Sequence, residues 1–234
     1  MSSQNNYIAN YLGIVPYGIA LEQQQRFVKA RAEDTIPDIL MLLQHPPVFT
    51  VGRFRGAEEI IATPELLARQ GIFVFHTNRG GSVTYHGLGQ LVGYPIINLK
   101  EHNLGVREYV WSLEEVIIGV LQSLDIKGHR MGNYPGSIWV KDKKICSIGI
   151  KVDHYITMHG FALNVDNDLK HFSYINPCGI KQSDVMTSLS KVFGVKVEVE
   201  AIIENVINAF SKVFRTKRVS RLGKCLNMSD ALIG

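Results

Sequence analysis

The sequence predicts an α+β fold, a single domain built around a mixed, largely antiparallel sheet. Helix-type and strand-type segments mix along the 234 residues without the strict alternation of a doubly wound fold. The chain has no internal repeat, no low-complexity run and no Ser/Gly/Pro-rich linker, so one domain is expected. Its composition, 46% hydrophobic and 20% charged, is that of an ordinary soluble globular protein with ample core.

The predicted elements of the N-terminal half follow from apolar runs and from the residues that stop them. Residues 17–32 have the amphipathic pattern of a helix. Thr63 suits the N-cap of a short helix because Pro64 fits its first position. In chain order we predict a strand at 7–15, a helix at 17–32, strands at 38–43 and 48–51, a helix at 64–70, and strands at 72–75, 83–85 and 91–98.

The C-terminal half opens with the clearest helical pattern, at residues 106–124, whose apolar side chains cover one broad face. Beyond it we predict strands at 137–140, 144–152 and 157–165, a helix at 185–193, a strand at 195–199 and a helix at 201–214. We therefore expect one folded domain over residues 1–214 and a basic C-terminal tail over residues 215–234. The tail is read mainly as a solvated terminus, with attraction to an acidic partner as the alternative.

Charge and hydropathy exclude several classes of protein. No apolar stretch is long enough for a transmembrane helix, and the N-terminus lacks a secretory pattern, so a cytoplasmic location and no membrane association are expected. The net charge of +4 is diffuse, which argues against a nucleic-acid partner.

Three cysteines, Cys146, Cys178 and Cys225, are too few and too widely spaced for a disulfide framework or a zinc site. Cys178 alone sits in a rigid frame, between Pro177 and Gly179, which suits a side chain presented from a loop. Cys146, in an apolar strand, and Cys225, in the basic tail, are expected to be inert thiols.

The segment from Arg79 to Gln90 is rich in glycine, which lets a backbone approach a ligand closely. A plain hairpin turn is the competing interpretation. A dinucleotide fingerprint is a poor alternative because the segment leads into a strand, and a P-loop is excluded because its pattern is absent.

Lys144 enters an apolar strand, where alternation places it on one face with Cys146 and Ile148. A desolvated lysine has a lowered pKa and can serve as a base. The alternative is a solvated lysine at the end of a hairpin. In the next strand, Gly160 and Ala162 leave room for an alkyl chain or for a neighbouring helix.

Three histidines, His45, His86 and His159, raise the question of a metal site. Their spacing does not resemble that of short ligand motifs, so we expect hydrogen-bonded structural histidines and no metal.

A series of short motifs follows in order along the chain: His45-Pro46-Pro47-Val48, Gly52-Arg53, the Arg79–Leu91 run, Tyr94-Pro95, Pro135-Gly136, Trp139-Val140, Lys144-Ile145, Ser147-Ile148-Gly149, Thr157, His159–Asn164, Asn176-Pro177-Cys178-Gly179 and Thr187-Ser188-Leu189. With these motifs the chain resembles, over about residues 12–214, the lipoyl(octanoyl) transferase family, the octanoyl-[acyl-carrier-protein]:protein transferases. Two departures from the family pattern, Leu88 for a usual proline and Ser82 for a usual Asp or Gln, concern acyl-chain preference and remove no reacting group.

The resemblance implies a single catalytic domain over residues 1–214, similar in fold to lipoate and biotin protein ligases. It implies Cys178 as nucleophile and Lys144 as its base, with backbone N–H groups near Cys178 or at Gly80 and Gly81 as oxyanion donors. It also implies an acyl slot lined by Arg79, Gly80, Gly81, Ser82, Val83, Thr84, Tyr85, His86, Ser147, Ile148, Gly149, Gly160, Phe161 and Ala162.

The implied donor is octanoyl-acyl carrier protein. The implied acceptors are lipoyl domains of 2-oxoacid dehydrogenase E2 subunits and the glycine cleavage H protein. A monomer that needs neither ATP nor metal is expected. Two alternatives stay open: an ATP-dependent lipoate or biotin ligase, and a non-catalytic relative that binds carrier domains.

Overall fold

The sheets are built from strands that lie far apart in the sequence, and a computed structural model describes them over residues 6–53, 57–176 and 185–219. The strands are β1 (Asn6–Ile14), β2 (Asp38–Gln44), β3 (Val48–Val51), β4 (Phe73–His76), β5 (Val83–His86), β6 (Gln90–Ile96), β7 (Gly128–Arg130), β8 (Ser137–Val140), β9 (Lys143–Asp153), β10 (Ile156–Asn164) and β11 (Lys217–Arg218). The helices are α1 (Tyr17–Ala32), α2 (Pro64–Arg69), α3 (Val106–Gln122), α4 (Leu189–Phe193) and α5 (Ile203–Phe214), with 3₁₀-helices at Ala57–Glu59, Leu169–Tyr174 and Val199–Ile202.

Within the described residues, eight strands form the main sheet in the order β11-β1-β2-β6-β10-β9-β8-β7. β1 pairs in parallel with β2 and β11, and the other neighbours in this sheet pair antiparallel. The predicted mixed, largely antiparallel sheet is confirmed.

Both faces of the main sheet are buried, which explains why its central strands are apolar throughout. Strand side chains alternate between faces, and β2 shows the result. Leu40 and Leu42 join the core under α3 and α5, whereas Met41 and Leu43 join a second core under α1. This arrangement leaves the α1 side of β10 and β9 as the floor of the site described below.

The smaller sheet has the order β4-β3-β5 within the described chain. Its core contains Phe49, Tyr85 and Phe172, and the last of these comes from the 3₁₀-helix Leu169–Tyr174. The turn between β4 and β5 carries the glycine-rich residues back across β9, where the Gly80 N–H donates to the Ile150 carbonyl at 2.8 Å.

α3 follows the predicted helix closely because Tyr109, Leu113, Val116 and Val120 recur on one buried face. Trp111, on the other side of the helix, is exposed, and its ring centroid lies 4.7 Å from the Arg130 guanidinium. No described helix combines the length and the hydropathy needed to span a membrane.

The predicted helix at 185–193 begins only at Leu189. Residues before it pair with β9 instead: the Lys144 N–H donates to the Val185 carbonyl at 2.6 Å, and the Thr187 N–H donates to the Lys144 carbonyl at 2.9 Å. The Ser188 hydroxyl then caps α4 by accepting from the Lys191 N–H.

The predicted strand at 195–199 is wrong. The Val197 N–H donates to the Ser190 hydroxyl at 2.9 Å and not to a neighbouring strand, and Val199 starts a 3₁₀-helix that packs into the core. The short strand β7 was not predicted, because its three half-buried residues, Gly128, His129 and Arg130, show no alternation of apolar and polar side chains.

The start of the predicted basic tail belongs to the sheet. Lys217 and Arg218 form β11 beside β1, and the Arg218 guanidinium contacts the Glu204 carboxylate at 2.8 Å. The tail beyond residue 219 lies outside the described residues.

Candidate active site

A cavity of ≈ 270 Å³ lies between the glycine-rich turn and the edge of β9 and β10. This volume is just below the range of about 300–1,000 Å³ typical of small-molecule pockets, so it suits a slender ligand. Every residue predicted for the acyl slot lines the cavity except Tyr85: Arg79, Gly80, Gly81, Ser82, Val83, Thr84, His86, Ser147, Ile148, Gly149, Gly160, Phe161 and Ala162. Lys144 lines it as well.

Tyr85 points away from this cavity, into the core of the smaller sheet. Its ring packs edge-on against Phe49 and Phe172, and its hydroxyl is hydrogen-bonded to Nδ1 of His171 at 2.8 Å. Gly87 is needed beside it because any side chain there would collide with the Tyr85 phenol. Tyr85 therefore supports the turn without lining the cavity.

Gly149 lets the turn lie directly on β9. A Cβ built on Gly149 would lie 3.1 Å from the Gly80 carbonyl oxygen, and the Gly80 N–H is already bonded to Ile150. The Gly80 N–H is consequently not available to an oxyanion, which corrects the expectation for that donor. Gly81 adopts φ +84°, a left-handed conformation that favours glycine.

A β-bulge places Lys144. Trp139 pairs with Lys144 and Ile138 with Cys146, so Ile145 is an extra residue in β9. The bulge breaks the alternation, and the predicted common face of Lys144 and Cys146 is wrong. Ile145 and Cys146 are both in the core, whereas half-buried Lys144 lines the cavity.

Cys146 is fully buried, as predicted for an inert core thiol. Burial raises the pKa of its thiol to about 12, so it is protonated near neutral pH.

Cys178 and Cys225 lie outside the described residues. The described residues that flank Cys178 in the sequence do lie at the site. Ile175 lines the cavity, and the Asn176 N–H donates to the Glu59 carbonyl at 2.7 Å. On the other side, Val185 is bonded to the backbone of Lys144.

The three histidines His45, His86 and His159 are neutral, hydrogen-bonded groups. Nδ1 of His45 donates to the Val15 carbonyl at 2.6 Å, which leaves Nε2 to accept from the Tyr94 hydroxyl at 2.7 Å. Burial lowers the pKa of His45 to about 4, that of His159 to about 3 and that of His86 well below its ordinary value. Within residues 6–53, 57–176 and 185–219, no cluster of His, Cys, Asp or Glu suits a metal ion.

A chain of buried hydrogen bonds connects the cavity wall to the backbone beside Lys144. Nδ1 of His86 donates to Oε1 of Gln90 at 2.8 Å, and Nε2 of Gln90 donates to Oδ1 of Asn164 at 2.9 Å. Nδ2 of Asn164 then donates to the Thr187 carbonyl at 3.0 Å. Because Thr187 is bonded to Lys144, this chain holds the lysine's strand in place.

Sequence reasoning about the site missed several residues that line the cavity: Tyr17, Tyr94, residues 133–137, His159, Phe172 and Ile175. The Tyr94-Pro95 and Pro135-Gly136 pairs belonged to the quoted motifs, and their presence was a usable signal. A further signal was an acid on the apolar face of α3. Oε1 of Glu114 accepts from the Gly136 N–H at 2.9 Å and fixes that wall of the cavity.

Comparison with known proteins places this chain in a family. Residues 16–211 match the lipoyl protein ligase A/B catalytic domain. The octanoyltransferase of Caldicellulosiruptor saccharolyticus is 46% identical over 208 residues, covering 88% of both chains. That of Desulforamulus reducens is 44% identical over 204 residues, covering 87% of this chain and 89% of its own.

Solved structures give the same fold. Lipoate-protein ligase A bound with ATP superposes with a TM-score of 0.75 at 15% identity, covering 98% of this chain and 92% of its own. Biotin protein ligase from Aquifex aeolicus in complex with biotin and ATP gives 0.54 at 13% identity, covering 89% and 70%. The predicted similarity in fold to lipoate and biotin ligases is confirmed, and the chain belongs to the lipoyl protein ligase A/B catalytic-domain family.

Proposed function

We propose that this chain is an octanoyltransferase that moves an octanoyl group from octanoyl-acyl carrier protein to a lysine of a lipoyl domain. Its relatives at 44–46% identity carry the name octanoyltransferase. The observation that carries the proposal is the position of Lys144, which is half-buried in the wall of a narrow cavity. Its backbone is hydrogen-bonded to Val185 and Thr187.

In the proposed first step, the Cys178 thiolate attacks the carbonyl carbon of the donor thioester. A new C–S bond forms to Cys178 and the C–S bond to the carrier breaks, so octanoyl-Cys178 and the carrier thiol result. An ordinary cysteine with a pKa of about 8.5 is mostly protonated at neutral pH. Lys144 is proposed to take the Cys178 proton and return it to the departing carrier sulfur.

In the second step the amine of the acceptor lysine attacks octanoyl-Cys178. A C–N bond forms, the C–S bond breaks, and Lys144 passes a proton from the amine to the Cys178 sulfur. Because one thioester is exchanged for another and then converted to a more stable amide, the reaction is proposed to need neither ATP nor metal.

The acyl slot is proposed to be the cavity itself. Phe161, Ala162 and Ile148 supply apolar wall, and Gly81 and Gly149 leave the wall open beside the turn. Lipoyl domains of 2-oxoacid dehydrogenase E2 subunits and the glycine cleavage H protein are the proposed acceptors. A cytoplasmic location and a monomeric state stay predictions.

The two alternatives make different predictions. An ATP-dependent ligase would modify the lipoyl domain only when ATP and a free acid are supplied, and it would not need Cys178. A carrier-binding relative without activity would modify nothing. The likeness to lipoate-protein ligase A concerns the fold alone at 15% identity and does not favour the ligase chemistry.

The test is to incubate the purified chain with octanoyl-acyl carrier protein and a lipoyl domain in the absence of ATP. We expect the lipoyl domain to gain the mass of one octanoyl group on one lysine. Modification that requires ATP and free octanoate or lipoate would show the ligase to be correct.

A further inference from the structure

Arg79 is a buried cation whose hydrogen bonds all end on neutral oxygens. It is 7% exposed and lines the cavity. Nε and Nη2 donate to the Thr50 hydroxyl at 3.1 and 2.9 Å, Nη2 also donates to the Thr50 carbonyl, and Nη1 donates to the Gly80 carbonyl at 2.9 Å. Among the described residues, no carboxylate forms an ion pair with it.

Arg31 provides an internal comparison, because its side chain is also only 5% exposed. Its guanidinium contacts three carboxylates, those of Asp34, Asp38 and Glu101, within 2.9 Å. A buried charge is ordinarily compensated in this way. Arg79 stands at a cavity with the charge of its guanidinium uncompensated by any described acid.

The guanidinium is held in one orientation, with Nη1 facing a gap left by glycines. Thr50 is fully buried and bonds both Nε and Nη2. A Cβ on Gly81 or Gly149 would lie 3.4 or 3.6 Å from Nη1. Gly81 and Gly149 line the cavity, so the missing side chains leave Nη1 within reach of a ligand there.

The surroundings favour an anion. Nη1 carries two N–H groups, and the Gly80 carbonyl accepts one of them. Tyr17 and Tyr94, which act on the Arg79 charge and also line the cavity, are phenols whose pKa values burial raises, so they are neutral. His86 and His159, which also line the cavity, are neutral near pH 7 because burial lowers their pKa values.

We propose that Nη1 of Arg79 binds a negatively charged oxygen on the acyl carbonyl carbon. Two species carry such an oxygen: the tetrahedral oxyanion of the transfer reaction, and the carboxylate of a free medium-chain fatty acid. The first rests on the function proposed above, whereas the second does not. The site therefore takes free octanoate as a competitor of the acyl donor.

The carboxylate arm is tested by calorimetry without donor or acceptor, comparing octanoate with octanamide. We expect the wild-type chain to bind octanoate more tightly by roughly tenfold to a hundredfold, the range of one charge-assisted hydrogen bond. Arg79→Gln should abolish this preference while octanamide still binds. Arg69→Gln, at an exposed position on α2, is the matched control and should keep the preference.

Equal affinity of the wild type for octanoate and octanamide would overturn the proposal, as would a preference that survives in Arg79→Gln. If Arg79→Gln does not fold, Thr50→Val decides, because it keeps the charge and removes the hydroxyl that accepts from Nε and Nη2 and fixes the guanidinium. An unchanged preference in Thr50→Val would also overturn it.

The oxyanion arm is tested by single-turnover acylation with octanoyl-acyl carrier protein. Arg79→Gln should slow acylation more than it weakens donor binding, whereas equal effects on both would reject the oxyanion role. The two arms separate the proposals: a chain that prefers octanoate but transfers nothing keeps the anion site and loses the transferase function.

Discussion

Lys144 and Thr187 are joined by a backbone hydrogen bond, from the Thr187 N–H to the Lys144 carbonyl, at 2.9 Å. With the bond from the Lys144 N–H to Val185, it forms a parallel bridge between β9 and the residues that precede α4. The chain that follows Cys178 in the sequence is thus bonded to the strand that carries the proposed base. The Asn164 side chain supports the same bridge, because its Nδ2 donates a hydrogen bond to the Thr187 carbonyl.

Asn164→Asp should impair catalysis by loosening this bridge. The carboxylate cannot donate to the Thr187 carbonyl, although it can still accept from Gln90. We expect kcat/KM to fall by roughly tenfold or more, and the unfolding free energy to fall by about 1–3 kcal/mol, because a buried acceptor loses its donor.

Steady-state kinetics and thermal unfolding measure both effects. Asn208→Asp, at an exposed position on α5, is the control and should leave both unchanged. A normal kcat/KM in a destabilised Asn164→Asp protein would restrict Asn164 to a role in stability.

Lys144→Ala should slow the alkylation of Cys178 by iodoacetamide at neutral pH. If the Lys144 amine stabilises the Cys178 thiolate as proposed, its removal raises the apparent pKa of the Cys178 thiol, and less thiolate is present. The measurement uses a Cys225→Ser background, so that Cys146, which is buried, is the other cysteine that remains. Lys143→Ala is the adjacent control, since its amine lies 3.7 Å from the Asp142 carboxylate. Equal alkylation rates in both variants would remove Lys144 from the activating role.

How far the sequence predicts this fold depends on whether a feature is local. The helical face of α3 and the apolar strand β10 are local patterns, and both were predicted closely. The bulge at Ile145 is not a local pattern, since it depends on the register between β8 and β9. It places Lys144 on a different face of the strand from Cys146, contrary to the prediction. Sequence alternation alone assumes a regular strand.

The site shows the same limit. Motif order indicated the glycine-rich turn and the β9 and β10 residues that meet at the cavity. Motif order did not predict contacts between distant segments. These are the hydrogen bond from Gly80 to Ile150, the position of Tyr85 in the core of the smaller sheet and the hydrogen bond from Gly136 to Glu114. Each depends on tertiary packing, which periodicity does not contain.

Ala162→Val should shorten the preferred acyl chain. Ala162 lines the cavity and packs against the core under α1, so added methyl groups have little space except in the slot. We expect the ratio of kcat/KM for octanoyl over butanoyl carrier protein to fall by roughly tenfold. Ala201→Val, exposed ahead of α5, is the control. An equal loss with both donors would mean that Ala162 does not limit chain length.

His45 should make the fold sensitive to acid. Its pKa is lowered from 6.5 to about 4 by burial, so between these values the unfolded chain binds a proton that the folded chain does not. Stability is then present above about pH 6.5 and is lost as the pH falls toward 4, by up to about 1.4 kcal/mol per pH unit for this histidine.

Urea unfolding across pH 4.5–7 (roughly the window of one shifted histidine) measures that slope. His45→Gln should show a shallower dependence than the wild type, by about one proton. Identical slopes would show that His45 binds the same number of protons in the folded and the unfolded state, and the burial argument would be wrong.

The central claim, a thioester on Cys178, is tested most directly by the intact mass of the chain after incubation with octanoyl-acyl carrier protein alone. We predict one added octanoyl group that hydroxylamine removes, that is retained in Cys146→Ala and Cys225→Ser, and that is absent in Cys178→Ser. An unmodified wild-type chain that nevertheless octanoylates a lipoyl domain, or an octanoyl mass that persists in Cys178→Ser, would contradict it.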